Sequence, residues 1–205
     1  MSKRLLILVL LLVPFTARAD GVLVLGDSIS AAYGLEEAEG WVSLLRQRFE
    51  SQCSGLPVNN ASVSGETSDG GLTRLPRLLE RHQPELVVIE LGGNDGLRGL
   101  PPKRLAGNLS RMIELSREAG ARVVLLGMRI PPNYGPAYTQ LFEQAFTHTA
   151  SEQDVPLVPF LLDGVVEAGQ LQGDGIHPTA AAQPRLLENT WPVLKKALPD
   201  HCKGS

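Results

Sequence analysis

The stretch Gly21-Val-Leu-Val-Leu-Gly-Asp-Ser-Ile-Ser30 decides the fold of this chain. Its first residues form an apolar run without alternating polar positions, which is typical of a strand buried on both faces of a parallel sheet. The run stops at Gly26, and short polar residues follow it at once. Four further runs are interpreted as strands, and they occupy residues 56–59, 86–90, 122–126 and 155–160.

Segments with apolar residues at helical spacing separate these runs. They lie at residues 41–49, 75–79, 105–116 and 141–150, and a last one follows Thr179. Pro76 is expected in the first turn of its helix, where proline removes no hydrogen bond. Pro184 and Pro192 are expected to kink or divide the last helix.

Strands that alternate with helices predict right-handed βαβ units and a parallel sheet with helices on both faces. Five strands favour a single-domain α/β fold with the flavodoxin-like doubly wound order over an eight-stranded barrel, which usually needs about 250 residues. No repeat, charge block or low-complexity linker divides the chain. One domain is therefore expected over residues 20–205.

The composition is that of a globular protein. The chain has 205 residues, of which 43% are hydrophobic and 20% are charged, and this balance excludes a disordered or collagen-like protein. The formal net charge is -3, and no basic cluster with interleaved aromatic residues occurs. A nucleic-acid partner is therefore not expected.

Residues 1–19 are interpreted as a signal peptide rather than as part of the fold. Lys3 and Arg4 form a basic start, residues 5–13 an apolar core, and Ala17-Arg-Ala19 a cleavage site of small residues. The apolar core is much shorter than the stretch of about twenty residues that spans a bilayer. We therefore expect export through a cleavable signal peptide, to the periplasm or alternatively out of the cell, with no membrane span in the mature chain.

Polar, glycine-rich clusters follow four of the predicted strands. The carboxyl ends of parallel strands lie at one edge of the sheet, where ligands bind in doubly wound folds. Four loops that converge on one edge predict a functional site there. The clusters are Gly26–Ser30, Asn60–Ser68, Gly92–Asp95 and Asp174–Pro178.

Among the histidines, His177 is the candidate base. It follows Asp174 by three residues in a glycine-containing turn, and Pro178 stiffens the backbone after it. A carboxylate at this spacing reaches the Nδ1–H of the ring and leaves Nε2 free. The spacing is equally compatible with a structural turn in which Asp174 caps backbone amides.

Ser28 favours the catalytic interpretation because it lies just past a buried strand, at the edge where His177 is expected. A lone serine there is more often a helix cap, but with His177 and Asp174 it forms a credible Ser-His-Asp set. The candidate donors to an oxyanion are the backbone N–H groups of Ser28 and Gly65 and the side-chain amide of Asn94. Simple turn geometry at Gly65 and an Asx turn at Asn94 are the alternatives.

Four blocks of the chain resemble the SGNH (GDSL) hydrolases, and they occur in the order of that family. They are Gly26-Asp-Ser-Ile29, Gly65-Glu-Thr-Ser68, Gly92-Gly-Asn-Asp95 and Asp174-Gly-Ile-His177. The longer strings Leu91–Arg98, Pro131–Gly135 and Asp174–Pro178 are similar to the bacterial arylesterase/thioesterase I/lysophospholipase subgroup. The second block departs mildly from the family pattern, because it has Glu66 where an aspartate is expected.

The resemblance implies a serine hydrolase that needs no metal or cofactor. It implies Ser28 as nucleophile, Asp174 and His177 as the other members of the triad, and Ser28, Gly65 and Asn94 as the oxyanion hole. The implied substrates are fatty-acyl esters and thioesters, including lysophospholipids. A polysaccharide or sugar O-acetyl esterase on the same scaffold is one alternative, and a non-catalytic module that binds acyl chains or glycans is another. We expect a monomer.

Residues 96–102 are interpreted as a movable apolar flap over an acyl chain. They place Leu97 and Leu100 between glycines and prolines directly after Asn94. The alternative is a surface loop whose leucines only cap the core. Further candidates for the wall of the substrate site are Ile130, Pro131, Pro132 and Tyr134.

Cys53 and Cys202 are candidates for a disulfide, because an exported chain reaches an oxidising compartment. Cys53 follows the first predicted helix and Cys202 follows the last. In the flavodoxin-like order these two helices cover the same face of the sheet and both run away from the functional edge. Their ends are therefore expected to be neighbours.

Overall fold

A five-stranded parallel sheet forms the centre of the structure. The computed structural model describes residues 21–53, 56–198 and 202. The strands are β1 (Val22–Gly26), β2 (Val58–Asn60), β3 (Leu86–Glu90), β4 (Arg122–Leu126) and β5 (Leu157–Val158). Their order across the sheet is β2-β1-β3-β4-β5, and all neighbours are parallel. The predicted flavodoxin-like order is confirmed.

Helices cover both faces of this sheet. They are α1 (Trp41–Gln52), α2 (Ser68–His82), α3 (Gly93–Leu97), α4 (Pro102–Glu118), α5 (Pro136–Glu152) and α6 (Gln183–Ala197). Helices α1 and α6 pack together on one face, whereas α4 packs between α2 and α5 on the other. The doubly wound arrangement with both faces covered is therefore confirmed as well.

The central strands β1 and β3 are buried along their whole length. This explains their continuous apolar sequences, since a strand covered on both faces has no solvent-facing positions. Each fully buried Val, Leu or Ile side chain contributes about 1.5–3 kcal/mol to the stability of the fold. The loops that follow these two strands are therefore anchored in the packed core.

The helical pattern after β3 predicted the buried face of α4 correctly. Its buried residues are Leu105, Leu109, Met112, Ile113 and Ser116. The helix ends where Gly120 adopts a φ of +85°, a left-handed conformation that glycine adopts without strain. The N–H of Ala121 then donates back to the carbonyl of Ser116 and closes the end of the helix.

The predicted position of Pro76 is wrong, because this residue lies well inside α2 and not in its first turn. The helix begins at Ser68, whose backbone N–H and hydroxyl both donate to the Asp95 carboxylate. A contact with a distant part of the chain therefore extends the helix towards its N-terminus. Helix α6 likewise continues through Pro192, while Pro184 occupies its first turn, so the last helix is not divided.

Cys53, at the C-terminal end of α1, forms a disulfide with Cys202. The two Cα atoms are 5.0 Å apart, within the usual range for a disulfide. The bond closes a sequence separation of 149 residues. A cross-link of this kind stabilises a fold by about 2–4 kcal/mol, chiefly because it restricts the unfolded chain.

The predicted signal peptide, residues 1–19, lies outside the described residues. The first described residue is Gly21, so the domain boundary after residue 19 stays a prediction. Within the ranges that the structure describes, none of the helices is both long and apolar enough to cross a membrane.

Candidate active site

The loops after β1, β2 and β3 meet at the carboxyl edge of the sheet. The Val63 N–H, after β2, donates to the Gly26 carbonyl at the end of β1 at 3.0 Å. The Arg98 guanidinium, at the end of α3, donates to the Gly65 carbonyl at 2.8 Å. These two hydrogen bonds join the three loops around Ser28, which begins the turn after Asp27.

Ser28, His177 and Asp174 form a chain of hydrogen bonds. The Ser28 Oγ lies 2.8 Å from Nε2 of His177, and the Nδ1 of the same ring lies 2.6 Å from Oδ2 of Asp174. An acceptor-only carboxylate at Nδ1 requires the proton on that nitrogen, which leaves Nε2 to accept from the serine hydroxyl. The sequence placed these three residues at one edge, and the structure brings them into contact. This arrangement can remove the hydroxyl proton of Ser28.

Asp174 combines the two roles that the sequence left open. Its Oδ1 accepts the backbone N–H groups of Ile176 and His177 at 2.9 and 3.0 Å, so it caps the turn. Its Oδ2 binds the His177 ring. The hydrogen bond from this ring is the main cause that lowers the pKa of Asp174 to about 2, and the two backbone donors add to it. The carboxylate therefore stays charged above that pH.

Gln172 ties the His177 segment to the segment that follows Ser28. Its Nε2 donates to the carbonyl of Tyr33 at 2.9 Å and to the carbonyl of Pro178 at 3.0 Å. Its backbone N–H donates to the carbonyl of His177 at 2.7 Å. Since Tyr33 donates its own N–H to the Ser28 carbonyl, these contacts connect the candidate base to the turn of the candidate nucleophile.

The backbone N–H groups of Ser28 and Gly65 are available to a ligand. Within the described residues no backbone carbonyl accepts from either of them. Gly65 has a φ of +79°, which a residue with a side chain adopts only under strain. A Cβ at this position would have only the Arg98 guanidinium nearby, at 3.9 Å, so the space beside Gly65 is open.

Asn94 lies in the first turn of α3, just after β3. Its Nδ2 donates to Oδ2 of Asp27 at 3.1 Å, which uses one of the two hydrogens on this nitrogen. The preceding Gly92 has a φ of +119°, and a Cβ there would lie 2.8 Å from the Phe146 ring. Backbone conformation and packing both require glycine at the turn that presents Asn94.

Tyr33 flanks the His177 ring, and no motif in the sequence marked it. The Tyr33 ring centroid is 4.4 Å from that of His177, with the planes tilted by 37°. Tyr33 is 52% exposed, and Ile176, which precedes His177, is 39% exposed. The structure thus adds an apolar surface beside the base.

The predicted flap is attached to the segment after β4. The Tyr134 and Tyr138 hydroxyls donate to the carbonyls of Leu97 and Leu100, at 2.8 and 2.7 Å. Both leucines are half-buried. Of the predicted wall residues, Ile130 belongs to the buried core beside α3, whereas Pro131 and Tyr134 are exposed. That residues 96–102 move over a substrate stays a prediction.

Metal coordination has no candidate in the part of the chain that the structure describes. No group of three or more His, Cys, Asp or Glu side chains there is placed to hold an ion. The reactive groups at the edge of the sheet are the hydroxyl, imidazole, carboxylate and amide groups described above.

Comparisons with known proteins point to one family. The model of the GDSL-like lipase/acylhydrolase family matches residues 24–184. Esterase TesA of Pseudomonas aeruginosa is 53% identical over 192 residues, 93% of this chain and 96% of that protein. Thioesterase 1/protease 1/lysophospholipase L1 of Escherichia coli K12 is 44% identical over 173 residues, 84% of this chain and 82% of that protein. The crystal structure of TesA superposes with a TM-score of 0.85 at 54% identity, covering 87% of this chain and all of that one.

Proposed function

The chain belongs to the GDSL-like lipase/acylhydrolase family, and we propose that it is an esterase that hydrolyses fatty-acyl esters and thioesters through an acyl-enzyme on Ser28. The observation that carries the proposal is the hydrogen-bonded chain from Ser28 through His177 to Asp174. The resemblance in four sequence blocks and the names of the similar proteins support the same activity.

In the proposed first step, His177 Nε2 takes the hydroxyl proton while Ser28 Oγ attacks the acyl carbonyl. The carbonyl oxygen becomes an oxyanion, which accepts hydrogen bonds from the N–H groups of Ser28 and Gly65 and from the Asn94 amide. Asp174 keeps the ring in the correct tautomer and stabilises the imidazolium that forms.

In the second half of the reaction, His177 gives its proton to the leaving alcohol or thiol, and an acyl-enzyme remains. Water then enters, loses a proton to the same nitrogen and attacks the acyl carbonyl. The tetrahedral intermediate collapses, the acid leaves, and Ser28 recovers its proton. Every proton transfer uses Nε2 of His177, which lies 2.8 Å from Ser28 Oγ.

Apolar side chains around the site support acyl chains as substrates. Tyr33, Val63 and Ile176 are exposed on the loops that carry the candidate catalytic groups. Tyr134 is also exposed, and its hydroxyl contacts the predicted flap at the Leu97 carbonyl. An acyl chain laid on such a surface would gain about 0.8 kcal/mol for each CH₂ group removed from water.

Export to the periplasm, with the protein acting there as a monomer, belongs to the same proposal. The basic start, apolar core and cleavage site in residues 1–19 support it. The disulfide between Cys53 and Cys202 agrees with an oxidising compartment. Detection of the chain in the periplasmic fraction tests export. Titration of thiols in the unreduced protein tests the disulfide, which two reactive thiols would contradict.

The activity is tested with p-nitrophenyl esters and acyl thioesters from two to sixteen carbons, together with an acetylated sugar. We expect hydrolysis of esters and thioesters with kcat/KM rising beyond the acetyl group. Activity confined to acetylated sugars would favour the O-acetyl esterase alternative. Absence of turnover on all substrates by folded protein would leave only the binding-module interpretation.

A further inference from the structure

A pair of carboxyl groups lies buried beneath the turn of Ser28. Asp27 is 2% exposed and Glu90 is inaccessible. Glu90 is the last residue of β3 and pairs with Gly26 at the end of β1, so the two carboxyl groups come from the neighbouring central strands. Burial of a carboxyl pair is costly unless hydrogen bonds and neutralisation compensate for it.

Each oxygen of Asp27 has a defined donor. Oδ1 accepts the backbone N–H of Ile29 at 3.0 Å and so fixes the turn that carries Ser28. Oδ2 accepts from Nδ2 of Asn94 at 3.1 Å. One carboxylate therefore contacts both the turn of the candidate nucleophile and a candidate oxyanion donor.

Glu90 supports this arrangement from below. Its Oε2 accepts the Asp27 N–H at 3.2 Å and the Ser30 hydroxyl at 2.6 Å, and the Trp41 indole N–H donates to the Ser30 Oγ at 3.2 Å. Its Oε1 is buried and has no hydrogen-bond partner among the described residues. An unpartnered buried oxygen is more easily tolerated on a neutral carboxylic acid than on a carboxylate.

Two neighbouring buried carboxyl groups each disfavour the charge of the other. Burial is the main cause that raises the pKa of Asp27 to about 6, against which the Ile29 N–H, Asn94 and His177 favour its charge, while Asp95 opposes it. Burial, and then the charge of Asp27, raise the pKa of Glu90 well above its usual value. The hydrogen bonds to Asp27 thus favour its charge, whereas burial and the charge of Asp27 favour the neutral form of Glu90.

We propose that Asp27 is a positioning residue whose carboxylate fixes the Asn94 amide so that its nitrogen, and not its oxygen, faces the developing oxyanion. This inference rests on the proposed function. The two ends of a primary amide have nearly the same shape, so shape alone does not select the orientation. A carboxylate only accepts hydrogen bonds; it therefore binds one N–H of Asn94 and leaves the second for the substrate.

The neutral isostere Asp27→Asn tests this role. Its amide would place a donor opposite the Asn94 nitrogen, and Asn94 would turn its oxygen towards the substrate. We expect kcat for p-nitrophenyl butyrate to fall about 10²–10³-fold, as for removal of one oxyanion donor, with little change in KM. Asn94→Ala is expected to give a loss of the same size.

The decisive measurement is a double-mutant cycle. If Asp27 acts only through Asn94, the double variant Asp27→Asn/Asn94→Ala should be no more than about threefold slower than Asn94→Ala alone. Ser30→Ala is the matched control, because it removes a group from the same buried network that does not touch Asn94. Its loss and the loss of Asn94→Ala are expected to multiply.

If the losses in kcat of Asp27→Asn and Asn94→Ala multiply in the double variant, the positioning role is overturned. The esterase activity of the wild type would remain valid in that case. A wild type that is folded but inactive on every ester would overturn the proposed function and this inference with it. If Asp27→Asn does not fold, the side-chain NH₂ signal of Asn94 is followed by NMR in His177→Ala, where the ring does not titrate. We expect a shift centred above pH 6, because this variant lacks His177, which favours the charge of Asp27; a signal that is constant from pH 4 to 9 would overturn the proposal.

Discussion

Ser28 follows β1, a strand buried along its whole length, whereas His177 lies far beyond the end of β5, in a segment that is mostly exposed. The turn of Ser28 rests on the buried carboxyl groups of Asp27 and Glu90. The turn of His177 is closed by a half-exposed carboxylate, that of Asp174. A buried network therefore holds Ser28 in place, whereas a turn near the surface holds His177, its hydrogen-bond partner.

The pKa values of the two aspartates, Asp27 and Asp174, differ because one is buried and the other is half-exposed. Burial raises the pKa of Asp27 to about 6, whereas hydrogen bonds from His177 and two backbone N–H groups lower the pKa of Asp174 to about 2. The buried side therefore loses stability when its carboxylate ionises, and the exposed side keeps a permanent charge at little cost. Substitutions on the two sides are expected to separate effects on stability from effects on catalysis.

The largest effect is expected on the buried side. Ser28→Ala should lower kcat by about 10⁶-fold, since no other group in the site can form the acyl-enzyme. Labelling by a fluorophosphonate, detected by mass spectrometry, should disappear. Ser30→Ala, which removes a neighbouring hydroxyl on the same turn, should still be labelled, and labelling that survives in Ser28→Ala would contradict the assignment of the nucleophile.

On the exposed side, Asp174→Asn should lower kcat by about 10⁴-fold, because an amide NH₂ facing Nδ1 stabilises the wrong tautomer of His177. The melting temperature should change by only a few degrees, since the remaining oxygen can still cap the turn. Asp163→Asn is the control in the same irregular segment, because Asp163 uses its backbone carbonyl for its contacts with Arg185 and Asn189. A loss of activity similar to that of this control would remove Asp174 from the triad.

The third effect is on stability and depends on pH. The pKa of Asp27 is about 6 in the folded chain and near 3.8 in the unfolded chain, so its stabilising contribution is full below pH 3.8 and is lost as the pH rises through 6. Asp27→Asn removes this titration. The free energy of unfolding of the variant minus that of the wild type should therefore be about 3 kcal/mol larger at pH 8 than at pH 3.5. Urea denaturation at the two pH values measures the difference, and parallel pH dependence of the two proteins would contradict the buried charge.

The two regions also differ in what the sequence could predict. Short contiguous motifs identified Ser28, Asp174 and His177 as candidates, and apolar runs located the strands, because both signals depend on near neighbours in the chain. The contacts of Asp27 with Asn94 and Glu90 join residues that are 67 and 63 positions apart. The only signal for them was a glutamate at the end of an otherwise apolar strand.

The predicted start of α2 was wrong for a similar reason. Pro76 was expected in the first turn of α2. The Ser68 N–H, however, donates to the Asp95 carboxylate, and the helix begins at Ser68. The attachment of Leu97 and Leu100 to two tyrosine hydroxyls was equally invisible, because a hydroxyl-to-carbonyl bond leaves no pattern in the sequence. Local patterns predicted elements and motifs, and tertiary hydrogen bonds determined their exact limits.

The smallest effect is expected from Gln172, which connects the two regions. Gln172→Leu removes the donors to the carbonyls of Tyr33 and Pro178 but keeps a side chain of similar size. The His177 segment should then shift relative to Ser28, and because catalysis is sensitive to displacements below 1 Å, we expect kcat to fall about tenfold. KM and the melting temperature should change little, since the segment is mostly exposed and its turn is closed by Asp174 itself. Unchanged kcat would mean that the Asp174 turn alone positions the base, whereas a large loss of stability would show that the exposed side depends on the core after all.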